Sequence, residues 1–196
     1  LTDVTLPPLP AGSLTAFLGP NGAGKSTLLR AIAQVLPAEG TMRFAGYDLV
    51  AMDRRERARL VGYMPQEAPG ETELTVLDGV MVALGAGSSA SLPRAVAVLA
   101  RLGLANLALR PLDRLSGGQR QLASLAQTIA NEPRLLLLDE PTSALDLARQ
   151  YEVMQQLRRL AEGGAAVVVV LHDLALAARW ADRIVVLRAG AVHAAG

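Results

Sequence analysis

The feature that most constrains this chain is a glycine-rich segment between a short apolar run and a helical pattern. The segment reads Gly19-Pro20-Asn21-Gly22-Ala23-Gly24-Lys25-Ser26-Thr27, and Lys25 is the only lysine among the 196 residues. Leu14 to Leu18, just before it, indicates a buried strand, and Ser26 to Leu36 predicts a helix that stops at Pro37. A strand, a glycine-rich turn and a helix in this order predict a phosphate-binding loop in an α/β fold.

The chemistry of the segment suits a triphosphate. Glycines let backbone N–H groups turn inward around the phosphates, and a lysine ammonium reaches the β- and γ-phosphates as a point charge. The hydroxyl of Ser26 then falls where Mg²⁺ would sit. Taken alone, the segment is also compatible with a glycine-rich turn that Ser26 caps at a helix start. The predicted phosphate-binding residues are Asn21, Gly22, Ala23, Gly24, Lys25, Ser26 and Thr27.

Composition limits the classes of protein that this chain can belong to. The length suits one domain, or one domain with an inserted lobe. There is no cysteine, which excludes disulfides and thiolate metal sites, and this absence suits the cytosol. The longest apolar runs are too short to span a bilayer. The net charge is only +1, so the arginine cluster at 54–59 is better explained as a solvated helix face than as a nucleic-acid site.

Short apolar runs alternate with helical patterns along most of the chain. This alternation predicts an α/β core with a mostly parallel sheet, formed by residues 1–74 and 113–196 of a single domain. Further buried strands are predicted at Leu135 to Leu138, Ala165 to Leu171 and Ile184 to Leu187. Residues 75–112 instead predict an inserted helical lobe, with helices at Val76 to Leu84 and Leu92 to Leu102 separated by residues 85–89.

Two adjacent carboxylates, Asp139 and Glu140, end the second apolar run. Side chains alternate along a strand, so the two acids point to different sides and can serve different purposes. In a phosphate-loop protein an aspartate here holds Mg²⁺. The next acid can polarise the attacking water as a general base. Alone, the pattern also fits a strand that ends in solvated acids before a proline turn.

Three further segments are interpreted together with the phosphate-binding loop and the two carboxylates. Leu115-Ser116-Gly117-Gly118-Gln119 opens a helical pattern that runs to Asn131, and a helix N-terminus of this kind offers unpaired N–H groups to an anion. His172 follows an apolar run at a predicted strand end, where an imidazole can meet a γ-phosphate. Gln66 follows Val61 to Pro65. In isolation, Ser116 fits an ordinary N-cap and His172 an ordinary structural side chain.

Taken in order, these segments resemble the ATP-binding subunit of ATP-binding-cassette (ABC) transporters over nearly the whole chain. The matching motifs are Walker A at Gly19 to Thr27, the Q-loop at Gln66, the signature Leu115 to Gln119, Walker B at Leu135 to Asp139 with Glu140 adjacent, the D-loop Ser143-Ala144-Leu145-Asp146 and the switch histidine His172. The resemblance implies a P-loop ATPase core with an antiparallel β portion, which we expect to be truncated here.

The resemblance also implies cofactors, partners and roles. ATP and Mg²⁺ would bind in a head-to-tail dimer, where Ser116, Gly117, Gly118 and Gln119 of one chain close over the nucleotide of the other. Glu140 would act as the base, His172 would hold the γ-phosphate, Gln66 would touch Mg²⁺ and the lytic water, and Asp146 would communicate across the dimer. Ser26, Gln66 and Asp139 would be the metal ligands. The chain would sit in the cytoplasm on the inner membrane, bound to permease subunits and indirectly to a solute-binding protein.

One departure from the family pattern concerns the adenine ring. The family usually carries an aromatic residue upstream of Walker A that stacks on the base, and here the only aromatic before Gly19 is Phe17, inside the predicted strand. The chain opens at Leu1 without methionine and stops at Gly196, so we expect that both ends are truncated.

The stretches around Arg54 to Gln66 and Val170 to Ala177 look most like ATPases for import of iron-siderophores, haem or cobalamin. Alternatives are an importer for another solute, a non-transport ABC ATPase acting on DNA or ribosomes, and a module that binds ATP without hydrolysing it. Val76, Val80 and Met81 are candidates for an exposed contact with a permease, although their helical spacing fits the core equally well.

Overall fold

A computed structural model of the chain describes Leu1 and residues 3–66, 73–85 and 91–196. In chain order the strands are β1 Leu14–Leu18, β2 Arg43–Phe44, β3 Tyr47–Asp48, β4 Val61–Met64, β5 Leu135–Asp139, β6 Ala166–Val170, β7 Arg183–Arg188 and β8 Ala191–Ala195. The helices are α1 Lys25–Ile32, α2 Arg54–Leu60, α3 Val76–Ala83, α4 Ser91–Arg101, α5 Gly117–Ile129, α6 Leu147–Glu162 and α7 Leu174–Trp180, with 3₁₀ turns at Ala105–Leu107 and Leu112–Arg114.

The main sheet has six strands in the order β4-β5-β6-β1-β7-β8. All neighbouring pairs are parallel except β7 and β8, which form an antiparallel pair at one edge. A second, two-stranded antiparallel sheet pairs β2 with β3. The predicted α/β class with a mostly parallel sheet is therefore confirmed, and the four predicted strands correspond to β1, β5, β6 and β7.

Both faces of the sheet are covered, and this explains why its central strands carry continuous apolar runs. Leu136 and Leu138 of β5 point to the side of α5 and α6, while Leu135 and Leu137 point to the side of α1 and α2. All four of these leucines are at most 1% exposed. The sheet therefore forms the middle layer of three, and its strand ends are held by packing on both sides.

Helix α1 is shorter than the sequence pattern predicts. The helix ends at Ile32 instead of continuing to Leu36, because Gln34 adopts a left-handed conformation with φ 55°. The Val35 N–H then donates to the Arg30 carbonyl and the Gln34 N–H to the Ala31 carbonyl, which is the Schellman arrangement that closes a helix C-terminus. The stop signal is therefore a local backbone motif and not Pro37.

The segment predicted as a helical lobe begins and ends side by side. Thr75 pairs with Pro111, and the Leu112 N–H donates to the Leu74 carbonyl. Residues 86–90 of the predicted lobe, including most of the predicted 85–89 linker, lie outside the described residues. The division into core and lobe stays a prediction. Val76 and Val80 are both fully buried, so the prediction that they form an exposed permease contact is wrong, and they belong to the core. Met81 is partly buried and packs against the same core.

The arginine cluster lies on α2, as expected for a solvated helix face. Arg54, Arg55 and Arg59 are exposed, while Leu60 is buried against the sheet. Arg57 donates to the carbonyls of Leu49 and Met52 and so anchors the segment after β3. No helix in the described part of the chain combines the length and the apolar character that a membrane span needs.

Candidate functional site

The candidate site lies at the carboxyl ends of β1, β5 and β6. Phe17 of β1 and Asp139 of β5 both pair with Val170 of β6, so these three strands end at the same level. Met64 of β4 pairs with Leu138, which places Gln66 just beyond the same edge. Ligands bind at this edge of open α/β sheets, and the sheet therefore collects residues that are far apart in the sequence.

The loop between β1 and α1 depends on a close backbone approach at its first residue. Gly19 has φ 144°, and a Cβ atom there would lie 2.1 Å from the Leu187 carbonyl oxygen. Lys25 is only 5% exposed, and its ammonium donates to the carbonyls of Gly19 and Pro20 at 2.8 and 3.0 Å. The loop thus wraps around its lysine, and the N-terminus of α1 faces the same space.

Ser26 and Asp139 form a direct contact between the loop helix and β5. The Ser26 hydroxyl donates to Asp139 Oδ1 at 2.9 Å, while the buried Oδ2 atom has no hydrogen-bond partner among the described residues. Burial raises the pKa of the Asp139 carboxyl, the Ser26 hydrogen bond opposes that shift, and the neighbouring Glu140 charge adds to it. A hydroxyl beside a carboxylate oxygen with free acceptor capacity fits a hard cation such as Mg²⁺, which prefers oxygen ligands.

Glu140 and His172 meet although they are 32 positions apart in the chain, since β5 and β6 end side by side. Glu140 Oε1 lies 2.5 Å from His172 Nε2, and the glutamate side chain is 11% exposed against 47% for the histidine. Glu140 has φ 54°, a left-handed conformation that non-glycine residues seldom adopt and that clusters at functional sites. The backbone therefore turns at the end of β5, and the Glu140 carboxylate reaches the His172 imidazole.

A cavity of about 490 Å³ joins these elements. Its walls contain most of the residues that the sequence predicts for nucleotide binding and chemistry: Asn21, Gly22, Ala23, Gly24, Lys25, Ser26, Thr27, Gln66, Glu140 and His172. Asp139 lies beneath the cavity through its bond to Ser26. The volume is ample for a nucleotide, whose sites typically measure about 300–1,000 Å³.

The predicted signature segment lies elsewhere. Ser116 caps α5 and Gln119 bonds back to the Ser116 N–H, which together make a capping box. Asp146 caps α6 by accepting from the Arg149 N–H at 2.9 Å. Within the described ranges, neither Ser116 to Gln119 nor Asp146 lines the cavity of the same chain.

The model of the family described as "ABC transporter" matches residues 2–143, well over half of the chain. This chain belongs to the ABC transporter family. The predicted family, its P-loop fold and its enzyme class, an ABC-type ATPase, are confirmed by this match and by the relatives below. The cassette's site residues keep the roles assigned above as predictions.

Among curated relatives, the hemin import ATP-binding protein HmuV of Streptomyces coelicolor is 45% identical, over 95% of the cassette and 69% of that protein. The cobalamin import ATP-binding protein BtuD of Halobacterium salinarum is 40% identical, over 94% of the cassette and 48% of that protein. The solved dimeric structure of MJ0796, a bacterial ABC transporter cassette, superposes with a TM-score of 0.89 at 32% identity, over 98% of this chain and 88% of that one. Another structure of MJ0796 is a dimer in a post-hydrolysis state bound to ADP and Pi.

Sequence reasoning missed two contacts of the cassette's site. Arg30 of α1 donates to the Tyr63 hydroxyl at 3.3 Å, which joins the loop helix to the strand before Gln66. Gln121 of α5 bonds to the backbone that carries Glu140. A single polar residue on a helix gives no signal of such a bond. Phe17 is fully buried in the core, and it therefore does not offer a face to adenine.

Proposed function

We propose that this cassette hydrolyses ATP in a head-to-tail dimer and thereby powers import of a solute through a membrane permease. The observation that carries the proposal is the Glu140–His172 contact on the wall of the phosphate-loop cavity. Both side chains lie at one edge of the sheet, opposite the loop that carries Lys25. The carboxylate supplies a base for the attacking water, and the imidazole supplies a group that faces the terminal phosphate of ATP.

The chemistry assigns separate tasks to these residues. Glu140 accepts a proton from water as the water oxygen attacks the γ-phosphorus. The bond to the oxygen bridging the β- and γ-phosphates breaks, and the products are ADP and inorganic phosphate. Lys25 and the loop N–H groups hold the phosphates, and His172 faces the γ-phosphate. Ser26, Asp139 and Gln66 would hold Mg²⁺, which neutralises charge on the β- and γ-phosphates when bound. The Glu140 carboxylate follows a left-handed backbone and lies on the cavity wall beside His172.

The dimer is supported by the location of the signature segment. Because Ser116 to Gln119 lie outside their own chain's cavity, they are free to close over the nucleotide of a second copy. The dimeric MJ0796 cassette is a precedent at 32% identity. In this arrangement, Asp146, at the start of α6, lies at the dimer interface.

Import and its solute are inferred from relatives. Proteins named for hemin import and for cobalamin import are similar to this cassette at 45% and 40% identity, so we infer a haem, cobalamin or iron-siderophore importer. The cassette would then lie on the inner face of the membrane against permease subunits that receive solute from a binding protein. Val82 and Leu109 are exposed apolar side chains of the predicted lobe and are candidates for the permease contact. Crosslinking from these two positions to permease helices in membrane vesicles tests that contact.

The hydrolytic assignment is tested by Glu140→Gln, which keeps the shape of the side chain and removes its basicity. We expect ATP binding to persist while turnover falls by roughly a hundredfold to ten-thousandfold, the usual cost of losing a general base. Glu152→Gln, an exposed acid paired with Arg149 on α6, is the matched control and should leave both quantities unchanged. Full turnover by Glu140→Gln protein would remove this residue from the role of base.

A further inference from the structure

A buried glutamine of α5 holds the backbone of the loop that carries Glu140. Gln121 is 7% exposed, and both ends of its amide are used. Nε2 donates to the Glu140 carbonyl at 2.6 Å and to the Ser143 hydroxyl at 3.1 Å, while Oε1 accepts from the Ala144 N–H at 3.1 Å. One side chain thus binds the loop at both of its ends.

The loop needs such support because of its conformation. Glu140 is left-handed, which is unfavourable for a residue with a Cβ atom and persists only where surrounding contacts impose it. Besides the Gln121 amide, the Ser143 hydroxyl and the Ser143 N–H also point at the Glu140 carbonyl, at 3.2 and 3.3 Å. The Gln121 bond is the shortest of the three and comes from outside the loop.

The same face of α5 rests directly on this loop. A Cβ atom at Gly118 would lie 3.0 Å from the Ala144 carbonyl oxygen, and one at Gly117 would lie 3.8 Å from the Ala144 Cβ. Residues 117, 118 and 121 share one side of the helix, since residues three and four positions apart are neighbours there. The helix that Ser116 caps and the turn that carries Glu140 are therefore one packed unit.

We propose that Gln121 is a positioning residue for hydrolysis: it fixes the turn from Glu140 to Ala144 so that the Glu140 carboxylate stays directed at His172 and the cavity. This inference rests on the proposed role of Glu140 as the base. It adds a link within each chain between α5, the helix that starts in the signature segment, and Glu140 in that chain's own cavity. A nucleotide that shifts α5 of one chain would thereby move Glu140 of the same chain, which acts in the other site of the dimer.

Gln121→Leu tests the proposal because it keeps the volume of the side chain and removes all three hydrogen bonds. A small misplacement of a reacting group typically costs up to about a hundredfold in rate. We expect kcat to fall by roughly tenfold to a hundredfold, with KM for ATP changed by less than about twofold, since the Lys25 loop is untouched. Gln127→Leu, six residues further along α5 and packed against Gly79, is the matched control and should leave kcat unchanged.

A double-mutant cycle separates positioning from general destabilisation. If Gln121 acts through Glu140, Gln121→Leu should cause no further loss of single-turnover rate in a Glu140→Gln background. An equal fold-loss in both backgrounds, or a wild-type kcat in folded Gln121→Leu protein, overturns the inference. Should Gln121→Leu fail to fold, Gln121→Glu serves the same cycle, because it keeps the acceptor for the Ala144 N–H and removes the donor to Glu140. Full activity of Glu140→Gln alone would instead overturn the proposed function, and this inference with it.

Discussion

The phosphate-loop cavity and the signature segment are built in opposite ways. The cavity is lined by residues from 21 to 172, held by parallel strands that end in register. Lys25 and Glu140 on its wall and Asp139 beneath it are all buried. The signature segment is local: Ser116 and Gln119 satisfy each other at the start of α5, and Ser116 is exposed. The first region is assembled from strand ends within one chain, whereas the second lies outside the cavity of its own chain.

The contrast explains why a chain of this kind would work in pairs. An exposed helix N-terminus can bind an anion through the N–H groups that its cap does not use, and the chain's own cavity lies elsewhere. Two copies related head to tail would bring each signature segment to the other's cavity. Variants of the phosphate-binding loop should therefore weaken nucleotide binding, whereas variants of the signature segment should keep binding and lose hydrolysis by the dimer.

The largest effect is expected in the cavity, from Lys25→Ala. The variant loses the only lysine ammonium of the chain, and a hydrogen bond to a charged group is worth about 1.5–3 kcal/mol. We expect ATP affinity to fall by roughly tenfold to a hundredfold, measured by titration calorimetry, and phosphate release to become undetectable. Arg134→Ala removes an exposed cation at the opposite end of β5 and is the matched control. Unchanged affinity in Lys25→Ala protein would break the assignment of the loop.

In the signature segment, Ser116→Arg should separate binding from turnover. The side chain is exposed, so the fold tolerates arginine at the cost of an N-cap, about 1 kcal/mol. Because this segment does not line its own cavity, we expect nucleotide binding by the single chain to stay within about twofold of wild type, while hydrolysis by the dimer is lost. Asp53→Arg removes the N-cap of α2 and controls for the loss of a cap. Weakened binding in the single chain would mean that the two regions are not separate.

The smallest effect is expected at the edge of the sheet opposite the site. Asp182 accepts from Arg158 Nη1 at 2.6 Å and from the Leu14 N–H at 2.9 Å. The Arg158 hydrogen bond, and secondarily the Leu14 N–H, lower the pKa of this carboxyl against the opposing effect of burial. A lowered carboxyl pKa stabilises the fold above the unfolded pKa of about 3.9, and the contribution is lost as pH falls through the folded value.

Asp182→Asn should therefore lower the free energy of unfolding at pH 7 by no more than about 1 kcal/mol, because the pair is partly exposed. Urea unfolding at pH 7 and at pH 3 measures this, and the difference from wild type should shrink at the lower pH. ATP turnover should not change. A gap that widens on acidification would contradict the sign of the shift.

The sequence predicts which strand ends meet better than it predicts where a helix stops or which helix face is buried. The contiguous loop at 19–27 and the ends of the apolar runs are local signals, and the rule that parallel strands end together places Glu140 near His172. The end of α1 at Ile32 depends on a left-handed residue that no side-chain pattern reveals. Val76 and Val80 carry a spacing that fits core and surface alike, and only packing decides between them. The hydrogen bonds of Gln121 depend on where α5 packs against the turn from Glu140 to Ala144, and only the tertiary structure determines that position.

The measurement that tests the central claim most directly is complementation between the two regions. Lys25→Ala and Ser116→Arg proteins should each be inactive alone. In their mixed dimer, one site combines both defects and the other combines an intact phosphate loop with an intact signature segment. Equal mixing should therefore restore about a quarter of wild-type ATPase activity if the sites work independently, since about half of the dimers are mixed. If the mixture stays inactive while light scattering and affinity capture show that mixed dimers form, the two regions do not build one composite site.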